Sequence, residues 1–463
     1  MLVERSSTRS LFCLQHIRNS ELTPSSHSGS GAFGAVQKLR ELGFKGSVTI
    51  VSNEGYLPID RTKLSKALIA DSSKVALRSH DFYSSADIAF VQDTVTAVDF
   101  DKKSIITKSG SAYPYTKLIL ATGGTPKRLP LPGFKDLSNI FVLRDVQNVQ
   151  DILKAVGDKG KKIVVVGSSF IGMEVGNALA KENTVSIIGM EEAPLERIMG
   201  KEVGRIFQKN LEKNGTKFYM GASVDSASPS PKDENVVGAV KLKDGTELEA
   251  DLVILGIGVG PATEFLRGND SVKLERDGSI QTDEFFQVKG MEDVYALGDI
   301  ATYPYHGPGG DGAMTRIEHW SKLSFPFLFL DFSLYGNSKA NIPTLPDVAQ
   351  NSGRTVAQRI AQPSTKPKPF IPIFWSAQGG QLRYCGNTPN GWDDLILQGK
   401  PDESKFTAFY THGDTVVAVA TMMMDPVMSK CAELMRRGSM PSKKDIQGGV
   451  DVLTVDLPGQ VVM

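Results

Sequence analysis

Two glycine clusters and a handful of carboxylates carry the chemistry available to this sequence. Gly29, Gly31 and Gly34 of "GSGAFG" keep the G-x-G-x-x-G spacing. That spacing lets a chain turn tightly and bring backbone N–H groups against a dinucleotide pyrophosphate. A second turn lies in "VVVGSSFIGMEVG", with Gly167 first, Ser169 in the middle glycine's place, and Gly172. The serine is expected to hold a pyrophosphate slightly further from the backbone. One helix and one strand beyond such a turn, an acid accepts hydrogen bonds from a ribose. Glu54 holds that place after Gly34, and Glu191 and Glu192 hold it after Gly172. No arginine occurs from 189 to 196 to receive a ribose 2′-phosphate, and acids there repel one. Asp299 of "YALGDIA" places a carboxylate at the end of an apolar strand, the sheet edge where ligands collect in such folds.

The elements that must position these residues read in two similar copies. In the second, "KIVVVG" is a buried strand. The helix after it has Gly172 and Gly176 to approach the sheet closely, and "TVSII" (184 to 188) is the next parallel strand. In the first, Ala32, Ala35, Val36 and Leu39 give a helical stripe, and "SVTIV" (47 to 51) is the following strand. Its leading strand is not evident. "LTPSSHS" (22 to 28) is polar and has Pro24 where a ladder donor is needed. The first unit is therefore expected to lack its central strand, with 22 to 28 filling the place poorly. Each unit continues into short strands and a glycine-ended apolar strand, "KLILATGG" and "DLVILGIGVG". The fold class expected is α/β: two Rossmann-like dinucleotide-binding domains plus a C-terminal α+β domain.

Bulk properties exclude other classes. Lys+Arg and Asp+Glu are 52 each, which gives no support for a nucleic-acid partner. The apolar run 324 to 335 is too short for a membrane span and contains Asp331. Cys13, Cys385 and Cys431 lie far apart, with no metal-ligand or disulfide spacing. A reducing, cytoplasmic location fits best. Arg5, Arg9 and Arg18 among serines give the N-terminus a faint mitochondrial-presequence character, and that compartment is the alternative.

"GSGAFG", "YLPIDRTKLSKALI", "LILATGG", "VVVGSSFIGMEVG", "YALGDIA", "RIEHW" and "PIFWS" occur in this order. In that order they resemble the FAD/NAD(P)-dependent pyridine nucleotide-disulfide oxidoreductase superfamily. Within it the chain resembles the ferredoxin/rubredoxin reductase and apoptosis-inducing-factor-like branch, nearest the apoptosis-inducing factor 3-like proteins. The resemblance implies FAD on the first unit and NAD(P)H on the second, with NADH favoured by the acids at 191 and 192. It implies hydride transfer to flavin and electron delivery to an unidentified redox protein or quinone-like acceptor. A slow-turnover redox sensor or interaction protein is the alternative, and the resemblance admits a homodimer. Gly29, Gly31 and Gly34 would face the FAD pyrophosphate, Glu54 the adenosine ribose and Asp299 the ribityl or pyrophosphate portion. Arg61 and Lys66 would contact FAD, with Lys66 near the flavin N5 edge and paired with Glu174 beside the nicotinamide. Glu318, Trp320 and Trp375 would border the isoalloxazine. Gly167, Gly172, Glu174, Glu191 and Glu192 form the NAD set.

The expected domains are 29–125 with 258–320 for FAD, its first strand missing, and 126–257 for NAD(P). Residues 347–364 end the FAD domain, 365–463 form the C-terminal reductase domain, and 1–28 are unassigned. Residues 61 to 70 lack the redox cysteine of disulfide reductases. Cys13 alone cannot supply the paired Cys and His ligands of the Rieske domain common in this branch, so no iron–sulfur cluster or other metal is expected. An insert, 321 to 346, separates "EHW" from "DVAQ". A lid, a docking patch or translated intron sequence would each account for it. The missing strand leads to the expectation of weak FAD retention.

Overall fold

The computed structural model describes residues 10–14, 29–316, 348–366, 370–377 and 379–457. The first unit is built from β1 (Ser10–Leu14), α1 (Ser30–Glu41), β2 (Ser47–Ser52), α2 (Thr62–Ala67), β3 (Ile88–Gln92) and β4 (Lys117–Leu120). β1 lies between β2 and β4, parallel to both, with Cys13 opposite Ile50 on one side and Ile119 on the other. The central strand expected to be missing is thus supplied from within the segment left unassigned. A strand bonded on both edges needs every N–H donor, which "SLFCL" has and a segment with Pro24 lacks. Residues 22–28 and the insert 321–346 lie outside the described residues.

The second unit repeats the plan. It comprises β5 (Ile140–Val142), β6 (Lys162–Val166), α3 (Phe170–Leu179), β7 (Thr184–Ile188), α4 (Glu196–Lys213), β8 (Lys217–Tyr219) and β9 (Leu252–Leu255). All five strands are parallel, in the order β8-β7-β6-β9-β5. β10 (Val294–Ala296) then returns to the first sheet and pairs with β4, completing the matching order β3-β2-β1-β4-β10. Each unit carries a three-stranded antiparallel meander, at Val95–Pro114 and Val224–Glu249.

Helix α5 (Val348–Ala361) packs on α1 closely enough that the backbones touch. A Cβ on Gly34 would stand 2.2 Å from the Gln350 carbonyl oxygen, and one on Gly353 would stand 2.1 Å from that of Gly31. β11 (Ile373–Ala377) opens a five-stranded antiparallel sheet carrying the helices Val427–Arg436 and Lys443–Gln447. This third unit leans on α4, which kinks at Gly200 (φ 75°). Trp392 fills the space beside Gly200, and the Tyr410 hydroxyl donates to the Met199 carbonyl at 2.8 Å. The tyrosine thus gives a carbonyl beside the kink a hydrogen-bond partner.

Candidate functional site

Gly29 caps α1 in an extended conformation with no side-chain hydrogen bond, and the first turn of the helix carries no acid. The helix's leading N–H groups are thus left to an anion. The glycines behind it have protein neighbours. Gly34 meets Gln350, and a Cβ on Gly31 would stand 2.2 Å from Leu297 Cδ1. Their smallness is required at least as much by α5 and the Leu297 loop as by any ligand.

At the end of β2, Glu54 is 4% exposed. Arg61 Nη2 lies 2.8 Å from both its oxygens, and the Tyr56 hydroxyl donates to Oε1 at 2.8 Å. Burial, then the Glu54 charge, pushes the Tyr56 phenol well above its ordinary range, so it stays a donor. Glu54 and Arg61 therefore meet each other, with the acid's acceptor sites largely taken. The neighbouring Asn53 Oδ1 is buried with no hydrogen-bond partner among the described residues. Sequence reasoning misses it, because an amide carries no signal of its own.

Asp299, beyond β10, is 1% exposed. Arg144 Nη2 donates to its Oδ2 at 2.5 Å, while Oδ1 is buried without a partner among the described residues. Burial draws the Arg144 guanidinium below its ordinary value, with Asp299 opposing that shift. Arg144 is likewise missed by sequence reasoning. Its one signal is a charged residue between the apolar "IFVL" and the helix that follows. A Cβ on Gly124, the first residue of the short strand Gly124–Pro126 that follows β4, would stand 3.2 Å from Asp299 Oδ2. The buried acceptors left open at the ends of β2 and β10 are groups that the hydroxyls of a ligand could satisfy. These residues fit a dinucleotide with a ribose at one end and a polyol at the other.

The three units meet at Glu174. It lies on α3, 3% exposed. Lys66 Nζ, from the last turn of α2, is 3.1 Å from Oε1. Ser65 donates to Oε2 at 2.5 Å and Ser376 of β11 to Oε1 at 2.6 Å. The Lys66 ammonium also stands 4.9 Å from the centre of the Trp375 ring. Lys66, Glu174 and Trp375, each from a different unit, form one cluster. Glu318 and Trp320 lie outside the described residues.

In the second unit, Gly167 adopts φ +107°, and its carbonyl oxygen would stand 2.0 Å from a Cβ on Gly172. Ser169 Oγ donates to the Gly256 carbonyl at 2.7 Å, tying the turn to the end of β9. Glu191 pairs with Arg197 at 2.6 Å, and Glu192 with Lys201. Both acids thus carry a cationic partner from α4. Among the described residues no group of His, Cys, Asp and Glu could hold a metal ion, and no helix is long and apolar enough to cross a membrane.

Comparison with known proteins bears on the family and the fold. The family model described as pyridine nucleotide-disulphide oxidoreductase matches residues 28–323, and one described as reductase C-terminal matches 373–451. Apoptosis-inducing factor 3 of Mus musculus is 35% identical over 424 residues, covering 90% of this chain and 64% of that protein. The chain thus spans 64% of the length of these relatives, as it does for the human protein, which is 34% identical. The chloroplastic/mitochondrial monodehydroascorbate reductase of Arabidopsis thaliana is 32% identical over 59% of this chain and 57% of its own. Among solved structures, a ferredoxin reductase from Rhodopseudomonas palustris superposes with a TM-score of 0.79 at 22% identity, covering 94% of this chain and 96% of that one. Putidaredoxin reductase in its covalent putidaredoxin complex gives 0.79 at 24%, covering 96% of both chains. These structural likenesses fix the expected α/β fold.

Proposed function

The chain belongs to the pyridine nucleotide-disulphide oxidoreductase family, and on that premise we propose that it is an FAD-dependent NAD(P)H oxidoreductase. The observation that carries this reading is the Lys66–Glu174 pair, which joins a helix of one nucleotide unit to a helix of the other. FAD would lie along the first unit, held by the α1 N-terminus, Asn53, Arg61, Asp299 and Lys66. Bound there, it would supply the hydride-accepting chemistry of the reaction. Asn53 takes the ribose hydroxyl in this reading, since Arg61 and Tyr56 occupy Glu54. Asp299 accepts from the polyol through its open Oδ1 while Arg144 balances its charge.

The nicotinamide nucleotide would sit on the second unit, with pyrophosphate at the Gly167–Gly172 turn. Glu174 orients the nicotinamide end. Lys66 places a positive charge where electron density accumulates, without the cost of reorganising water around it. Trp375 excludes solvent from that edge. Glu191 and Glu192 disfavour a 2′-phosphate, so NADH is preferred, with Arg197 and Lys201 tempering that preference.

Electrons would leave to a small redox protein or a quinone-like acceptor. The likeness to putidaredoxin reductase, a structure solved with its redox partner, favours the protein acceptor. Purified protein should show a flavin absorbance spectrum that NADH bleaches under anaerobic conditions. Colourless protein that takes up no FAD would refute the reading. Flavin that NADH bleaches only slowly, with or without added acceptors, would favour a redox sensor over an enzyme.

A further inference from the structure

We infer that Ser376 is a positioning residue for hydride transfer, through which the C-terminal sheet tunes the charge that Lys66 presents. The inference rests on the oxidoreductase reading above. It starts from how the Glu174 carboxylate is shared. Ser65 and Ser376 make its directed hydrogen bonds, one to each oxygen, at 2.5 and 2.6 Å. Lys66 Nζ stands 3.1 Å from Oε1 as an ion pair, yet has no hydrogen-bond partner among the described residues. The ammonium's N–H donors therefore remain available to a ligand, while the serines take the carboxylate's lone pairs.

The two serines are not equivalent. Ser65 adjoins Lys66 on α2 and moves with it. Ser376 arrives from a strand 202 residues away from Glu174. Along β11, Phe374 and Ser376 are both buried. Phe374 stacks on Tyr384 at 5.0 Å and meets the edge of Phe170, the first residue of α3, at 4.8 Å. The hydroxyl thus sits in a rigid aromatic setting and reaches the helix that bears Glu174. On the strand's other face Trp375 meets the Lys66 ammonium at 4.9 Å. β11 touches the pair from both sides, through a hydrogen bond to the anion and a ring beside the cation.

Removing the Ser376 hydroxyl leaves Oε1 with Lys66 as its described partner. In a buried site that carboxylate is poorly solvated, so it draws the ammonium closer and satisfies itself there. Lys66 then has less charge and fewer donors to offer. The hydroxyl's work is to keep Glu174 satisfied without consuming Lys66.

The test uses the FAD-loaded chain with Ser376→Ala and Ser376→Thr. Three quantities are read: the limiting rate of flavin reduction by NADH, the apparent Kd for NADH, and the midpoint potential of the bound flavin in a dye titration without nicotinamide. For Ser376→Ala we expect full FAD content, a limiting rate about tenfold lower, as losing one hydrogen bond to a charged group implies, a Kd changed less than about twofold, and a lower potential. Ser376→Thr, which keeps the hydroxyl, should restore rate and potential. A Ser376→Ala protein with the parent's potential overturns the inference. So does a loss that Thr shares equally, which marks a packing role alone. If NADH fails to reduce the parent's flavin, the oxidoreductase reading fails, while the potentials still judge Ser376.

Discussion

The two nucleotide units share a strand order and differ in how they hold charge. In the first, the polar groups at the strand ends are sealed in. Glu54 and Asp299 are 4% and 1% exposed, and they meet Arg61 and Arg144, which are themselves nearly buried. In the second, Glu191 and Glu192 sit nearer the surface against the solvent-facing Arg197 and Lys201. Buried pairs are costly to disturb and give a fixed geometry, whereas exposed pairs break and reform at little cost. The first arrangement suits a ligand that stays, and the second one that exchanges every turnover. On the proposed function, a single plan would serve a permanent site in the first unit and a transient one in the second.

The glycine turns differ in the same sense. In the second unit Gly172 meets its own turn and Gly176 the Ile187 side chain of β7. In the first unit, Gly31 meets Leu297 and Gly34 meets Gln350 of α5, both from beyond the whole second unit. The first site is closed by distant chain and the second by its own neighbourhood.

The strongest way to break the comparison is at β1. Cys13→Pro removes a ladder donor from a strand paired on both sides and leaves a buried acceptor unpaired, at a cost of about 1–3 kcal/mol before any backbone strain. We expect loss of bound flavin and a markedly lower Tm. A Cys13→Pro protein as stable as the parent would show that some other segment fills the centre of the first sheet.

Asp299→Ala should come next. It strips the buried Arg144 of its counter-ion, an effect of about 3–5 kcal/mol, and removes the open Oδ1. Flavin content after purification should fall to a small fraction of the parent's, with Tm reduced in the flavin-free protein as well. Asn53→Ala sharpens the same point, because it should weaken FAD retention without lowering that flavin-free Tm.

Glu174→Gln touches the junction between the units. The amide keeps the size but removes the charge that faces Lys66. Flavin should be retained and its reduction by NADH slowed tenfold or more in stopped-flow traces. The smallest effect is expected in the second unit. Glu191→Gln should leave Tm unchanged within error and raise the use of NADPH relative to NADH by a few fold, measured as the ratio of reduction rates.

Much of this architecture is legible in the sequence because it is local. Each glycine turn sits beside its helix and next strand, and the meanders read as short strands with an Asp-Gly turn at 244 and 245. The Lys66–Glu174 meeting, implied by the family resemblance, is present as an ion pair. What is not legible depends on contiguity failing. A glycine turn points to a strand immediately before Gly29, but the sheet draws β1 from well upstream, at Ser10–Leu14. Arg144 and Ser376 act on partners 155 and 202 residues away, and neither distance leaves a periodic trace. Spacing alone points Glu54 at a ribose. It cannot show that Arg61 folds back to claim the carboxylate.

The most direct test of a permanent site beside a transient one is anaerobic titration of the extensively dialysed chain with NADH. Purified protein should keep close to one FAD per chain through dialysis, lose its flavin absorbance on adding NADH, and retain no NAD after gel filtration. Flavin that dialyses away while the nicotinamide nucleotide stays bound would contradict the account.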